Sequence, residues 1–221
     1  MQPSVQFTST ARTLGLWSAV GFVGLSVAYA VTLAAGLASL VSPQDPVGGV
    51  LFSVLEILIL MLMPLMVTLM VAVHAWSSPE TKVFSLSALV FTSLLAGVTC
   101  SVHFVVLTVS HQSAFSELSW LPLLLSFRWP SVAYALDILA WDVLFPLAVL
   151  FAARVFHGSR LATWIRALLI ASGSLALAGL SGVVLGDMRF RNIGIVGYAV
   201  VFPVVVLLLA IQFHRVRPRE N

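Results

Sequence analysis

The chain has 221 residues, 60% of them hydrophobic and 9% charged, with a mean hydropathy of +1.08. Soluble domains carry about a quarter charged residues, so a water-solvated globule is excluded. The formal charge of +3 comes from basic residues at segment ends, with no patch of interleaved aromatics. That pattern excludes nucleic acid as a partner and points to orientation in a bilayer. The single cysteine, Cys100, leaves no internal disulfide, CxxC pair or cysteine zinc cluster.

Six apolar runs reach the roughly 20 residues needed to cross about 30 Å of hydrocarbon. They are Leu14–Val41, Gly48–Trp76, Val83–Ser110, Ser131–Phe156, Ala162–Leu185 and Ile193–Phe213. Only helices suit them, because each backbone group in lipid must find its partner within its own segment. The expected fold is all-α, a single membrane domain over residues 1–221 built from six transmembrane helices.

In the first run, "SVAYA" has the look of a cleavage site, but the apolar stretch continues past it and predicts an uncleaved helix. Ser26, Ala30, Ala34 and Ala38 recur every four residues and form a small-residue stripe that lets another helix approach closely. The stripe suits a homo-oligomer or a partner subunit. Over this one helix it resembles the alanine-stripe helix of six-span vitamin-capture subunits of energy-coupling-factor importers.

"SSPETK" separates the second and third runs, with Ser78 as N-cap and Pro79 at the first helical position. The third-to-fourth connection, "HQSAFSELSWLPLLLSFRWP", contains an apolar piece too short to span. It is expected in the interface, anchored by Trp120 and Trp129. With six spans, Arg12, Lys82, Arg154, Arg160, Arg166, Arg215, Arg217 and Arg219 fall on one side. Arg128, Arg189 and Arg191 fall on the other. The positive-inside rule then places both termini in the cytoplasm, with the protein integral to a prokaryotic cytoplasmic membrane.

Charges within the runs are few and fall at similar depths. From the outer ends of their helices Asp137 lies about 9 Å down, Glu56 about 12 Å and Asp142 about 16 Å, at 1.5 Å per residue. His103 lies near the outer end of the third run and His111 at its very end, whereas the inner halves are almost free of charge. A carboxylate at this depth must face the bundle interior and find a partner. Tyr134, Asp137 and Trp141 share one helical face, an acid between two aromatics. Asp137 and Asp142, five apart, lie about 140° apart on an α-helix and do not share a face. Pro146 withholds the N–H that would bond the Asp142 carbonyl. His74 and His157 are expected as solvated loop histidines.

These residues favour a binding or transport role. Glu56, His103, Tyr134, Asp137, Trp141 and Asp142 would line an outward-facing polar pocket for a small polar or cationic ligand, or for protons. One alternative is a metal-dependent membrane hydrolase acting on a lipid-like substrate, with His103, Asp137 and Glu56 as candidate ligands. No HExxH spacing fixes two of them on one helix, so a metal ion stays a possibility and the cofactor unknown. Another alternative is a structural or assembly protein working through the alanine stripe. Haem would need a second histidine at matching depth. Retinal would need a mid-membrane lysine, and the one lysine, Lys82, lies at a loop edge. No GxSxG elbow points to a serine nucleophile.

Overall fold

The structure, a computed structural model, describes residues 7–42, 47–110, 112 and 118–216. Six of its helices are long and apolar enough to cross a membrane, and no strand occurs among the described residues. In chain order they are α1 (Ser9–Ala38), α2 (Gly49–Trp76), α3 (Lys82–Val109), α5 (Val132–Ala153), α6 (Arg160–Leu185) and α7 (Met188–Arg215), with a five-residue helix α4 (Leu121–Leu125) between α3 and α5. The chain is an all-α integral membrane protein.

Each span packs against its neighbours in the chain, and α7 closes the ring onto α1. The closure is also polar. Thr8 caps α1 by accepting from the Ala11 amide, so the first helix starts at Ser9 rather than Leu14. Arg12 consequently lies inside it and donates to the Phe213 and His214 carbonyls at 2.9 and 2.8 Å. These carbonyls belong to the last turn of α7, where a cation is favoured.

The main core is aliphatic and aromatic, with Met63, Met66, Leu95, Phe145, Phe202 and Leu209 all buried. Phe202 meets Phe22 and Phe145 edge to face, with ring centroids 5.5 and 5.1 Å apart. A second, smaller apolar cluster lies at the α4 end. Val102, Val106 and Ala133 are buried there against Phe52, Leu125 and Phe127. The α4 segment buries none of its own residues, and Trp120 and Trp129 are exposed. His111, Arg217 and Arg219 lie outside the described residues.

Two spans change winding part-way. Leu139–Leu144 of α5 and Val196–Val201 of α7 are π-helical. Phe145 N–H donates to the Ala140 carbonyl, and Phe202 N–H to that of Gly197, both bonds reaching five residues back. Each wide turn runs directly into a Phe-Pro pair, so Pro146 and Pro203 occupy the first positions of a resumed α-helix. A proline is tolerated at such a position because its missing N–H is not required. The two segments, "LAWDVLFP" and "VGYAVVFP", match in form, and their matching aromatics meet. Trp141 lies 5.0 Å from Tyr198, and Phe145 packs on Phe202.

Helices α6 and α7 approach closely through small residues. A Cβ at Gly197 would sit 2.6 Å from the Ser172 carbonyl, and Ser172 Oγ donates to the Gly197 carbonyl at 2.8 Å. Gly186 ends α6 with φ of +68°, the left-handed turn that glycine adopts without a Cβ clash. The alanine stripe of α1 is turned outward. Ala30, Ala34 and Ala38 are exposed, while Ser26 Oγ donates to the Phe22 carbonyl of its own helix.

Candidate functional site

Four helices bring five ionisable side chains into one chain of contacts near the α4 end. Glu56 of α2 places Oε2 2.8 Å from His103 Nδ1 of α3. The other ring nitrogen, Nε2, lies 3.7 Å from Asp137 Oδ1 of α5. Arg191, from the first turn of α7, donates Nη2 to Asp137 Oδ2 at 2.7 Å and Nε to Asp142 Oδ2 at 2.9 Å. Its guanidinium also lies over the Tyr134 ring, 4.6 Å from the centroid. Glu56, His103 and Arg191 are 3–4% exposed and Asp142 is 0% exposed.

The residue types explain why the arrangement holds. A buried charge is tolerated in a bilayer when it is paired and faces the interior. The planar guanidinium presents several N–H groups in a fixed fork, so one Arg191 serves two carboxylates. An imidazole has two nitrogens on opposite sides of the ring, which lets His103 lie between Glu56 and Asp137. Neutral histidine donates through one nitrogen only, and the protonated ring donates through both.

The π turn overturns one expectation. On a regular α-helix Asp142 would point about 140° away from Asp137, yet both bind the same arginine. A π turn closes its hydrogen bond over five residues and rotates less per residue than an α turn. Leu139–Leu144 introduces that winding after Asp137, which brings the two acids closer to one face. The same winding removes Trp141 from the Tyr134–Asp137 face and packs it against Tyr198 and Phe145. Of the six residues predicted for the site, the structure joins Glu56, His103, Tyr134, Asp137 and Asp142, and it places Trp141 in the aromatic layer beside them.

Arg191 is the member that sequence reasoning missed. In the sequence it counts only as an orienting charge in the turn before the last span, whereas in the structure it is buried inside the bundle. The available signal was charge balance, because three carboxylates within the spans on two helices call for a cation at the same depth.

Two glycines shape the far end of the chain of contacts. A Cβ at Gly194 would sit 2.5 Å from Asp142 Oδ1, and one at Gly179 would sit 2.7 Å from it. Only residues without side chains leave room for this carboxylate between α6 and α7. Asp142 Oδ1 itself has no hydrogen-bond partner, and neither do Thr99 Oγ1 nor His103 Nε2. On the opposite side Phe127 closes the site by stacking on the His103 ring, 4.9 Å between centroids.

Four of the residues expected around an open pocket are buried or nearly so, Glu56, His103 and Asp142 fully and Asp137 with 13% of its side chain exposed. Clefts of about 280 and 300 Å³ lie nearby, and none of the five residues lines either. Glu56 and Asp137 approach opposite nitrogens of one ring, so they do not converge on a common point with it. No group of three or more His, Cys, Asp or Glu among the described residues is arranged to hold a metal ion.

The remaining polar groups stand apart. Asp187 and Arg189 form an exposed pair at 2.7 Å, and hydrogen bonds from Arg189 hold the Asp187 carboxyl below the usual carboxylate range. His74, rather than lying solvated in a loop, is half-buried in the last turn of α2. There Nδ1 lies 2.8 Å from Ser85 Oγ, and the Lys82 ammonium donates to the His74 carbonyl. No protein-family model matches the chain, and comparison with curated proteins and with solved structures finds no match.

Proposed function

We propose that this protein binds or transports protons or a small cation at the Glu56–His103–Asp137–Arg191–Asp142 chain. The observation that carries the reading is the position of His103, bracketed by carboxylates at both ring nitrogens and nearly dry. A proton arriving at Nε2 from the Asp137 side, with the Nδ1 proton passing to Glu56, moves one charge across the ring and leaves the imidazole neutral. Neither carboxylate has to reach water for this step. Arg191 holds Asp137 in place and keeps the second acid, Asp142, within reach of the first.

The α4 side offers the shorter route to bulk water. On that side a few apolar residues around Phe127 cover His103, whereas on the other side lies the main core with Phe145, Phe202 and Met66. We assign the α4 side to the outside of a prokaryotic cytoplasmic membrane and both termini to the cytoplasm, on the balance of lysine and arginine. The test is proton flux into liposomes that contain the purified protein and an internal pH dye, driven by a potassium diffusion potential. The expected result is a flux above that of empty liposomes, reduced at least about tenfold in His103→Gln, as for an intramembrane proton relay that has lost its carrier. Flux equal to empty liposomes, with imposed sodium or potassium gradients also left undissipated, would overturn the reading.

A further inference from the structure

The two π turns lie beside the charge chain, and one of them contains Asp142. A π turn holds one residue more than an α turn that closes the same stretch of helix, and such turns recur at functional sites. Here the extra residue has a visible consequence. It puts Asp142 on the Asp137 side of α5, so that both acids reach Arg191. If the turn rewinds as α, Asp142 swings away by the difference between the two registers, while Asp137, one turn earlier, stays on Arg191. Pro146 and Pro203 carry no N–H, so the α register lacks one of the bonds that would hold it. The matching segment of α7 packs against the first through Trp141–Tyr198 and Phe145–Phe202, which ties the two turns together mechanically.

We propose that the paired π turns, Leu139–Leu144 and Val196–Val201, are the moving joints of this site, and that rewinding the first releases Asp142 from Arg191 toward the other half of the bundle. Three features of the surroundings suit that motion. Asp142 Oδ1 makes no hydrogen bond in the paired state. Gly179 and Gly194 border Asp142 Oδ1 without side chains of their own, so no side chain at either position has to move when the carboxylate leaves. The groups that stay behind, Asp137 and Arg191, remain bonded to each other at 2.7 Å. On the reading of this cluster as a proton or cation site, the joint supplies the step that transfers access from the α4 side to the main-core side.

Backbone hydrogen exchange tests the joint without any need for flux, so failure of the transport reading and failure of the joint are separable. The wild-type protein, deletion of Leu139 and Pro146→Ala are compared in lipid nanodiscs by mass spectrometry. The deletion removes the extra residue, and the substitution returns an N–H that can bond the Asp142 carbonyl; both favour the α register. In the wild type, peptides covering 139–145 and 196–202 should exchange at least about tenfold faster than those covering 147–153 and 204–210, as locally opening segments do. Deletion of Leu139 should slow the first joint toward its flanks, and by coupling the second also. If the deletion does not fold, Pro146→Ala should show the same slowing to a smaller degree. Wild-type joints that exchange as slowly as their flanks, or variants that leave the rates unchanged, would overturn the proposal.

Discussion

The two ends of this bundle solve the same problem, filling space in lipid, by opposite means. Toward the α4 end, four helices meet through Glu56, His103, Asp137, Asp142 and Arg191, whose contacts with one another are ion pairs or charged hydrogen bonds, with a small apolar cluster around Phe127 beside them. Beneath it the same helices meet through Met63, Met66, Leu95, Phe145, Val149 and Phe202 with no charge among them. The apolar half tolerates apolar replacements that conserve its volume. The polar half does not, because each of its groups is expensive without its particular partner. Sensitivity to single substitutions should therefore differ between the two halves in kind as well as in size.

The largest expected effect is at Arg191. Arg191→Met strands Asp137 and Asp142 together in a dry site, and breaking a buried pair in this way costs about 3–5 kcal/mol. Reversible unfolding in mixed micelles measures it, and adding Asp142→Asn should recover part of the loss by removing one unpaired acid. In the apolar half Met66→Ala should cost about 2–5 kcal/mol through the cavity it leaves. A second large-to-small substitution in the same half, more than about 10 Å away and sharing no partner with Met66, should add to that loss.

Smaller effects sharpen the contrast. Gly194→Ala should destabilise by about 1–3 kcal/mol, as overpacking does, because its Cβ would press on Asp142 Oδ1. Gly24→Ala, on the outer face of α1 with nothing within 4 Å of its would-be Cβ, should instead gain up to about 1 kcal/mol from helix preference. Equal responses at the two glycines would remove the case for a shaped seat around Asp142. Ser101→Ala should stay within about 0.5 kcal/mol, since that hydroxyl is exposed and bonds only its own helix at the Gly97 carbonyl.

Much of this was legible in the sequence for a physical reason. A charge in a run of twenty apolar residues is conspicuous, so Glu56, His103, Asp137 and Asp142 could be singled out and their depths compared by counting along each helix. Arg191 was hidden because arginines at the ends of spans are common for orientation alone, and nothing local separates it from Arg189, which is exposed. The shared face of Asp137 and Asp142 was hidden because angular reasoning presumes an α-helix throughout. The trace in the sequence is an aromatic four residues ahead of a Phe-Pro pair, in "LAWDVLFP" and again in "VGYAVVFP". Thr8 and Arg12 moved the first helix boundary because a cap and a tertiary contact decide such an end, and apolar length does not.

The central claim is that Glu56, His103, Asp137 and Arg191 form one connected chain through the two nitrogens of a single imidazole. Nitrogen-15 magnetic resonance of the His103 ring in nanodiscs, assigned by difference against His103→Gln, tests it most directly. The account predicts that Glu56→Gln moves mainly the Nδ1 signal and Asp137→Asn mainly the Nε2 signal, and that Arg191→Lys, which does not touch the ring, moves Nε2 through Asp137. Ring signals unchanged by Asp137→Asn and Arg191→Lys would contradict it.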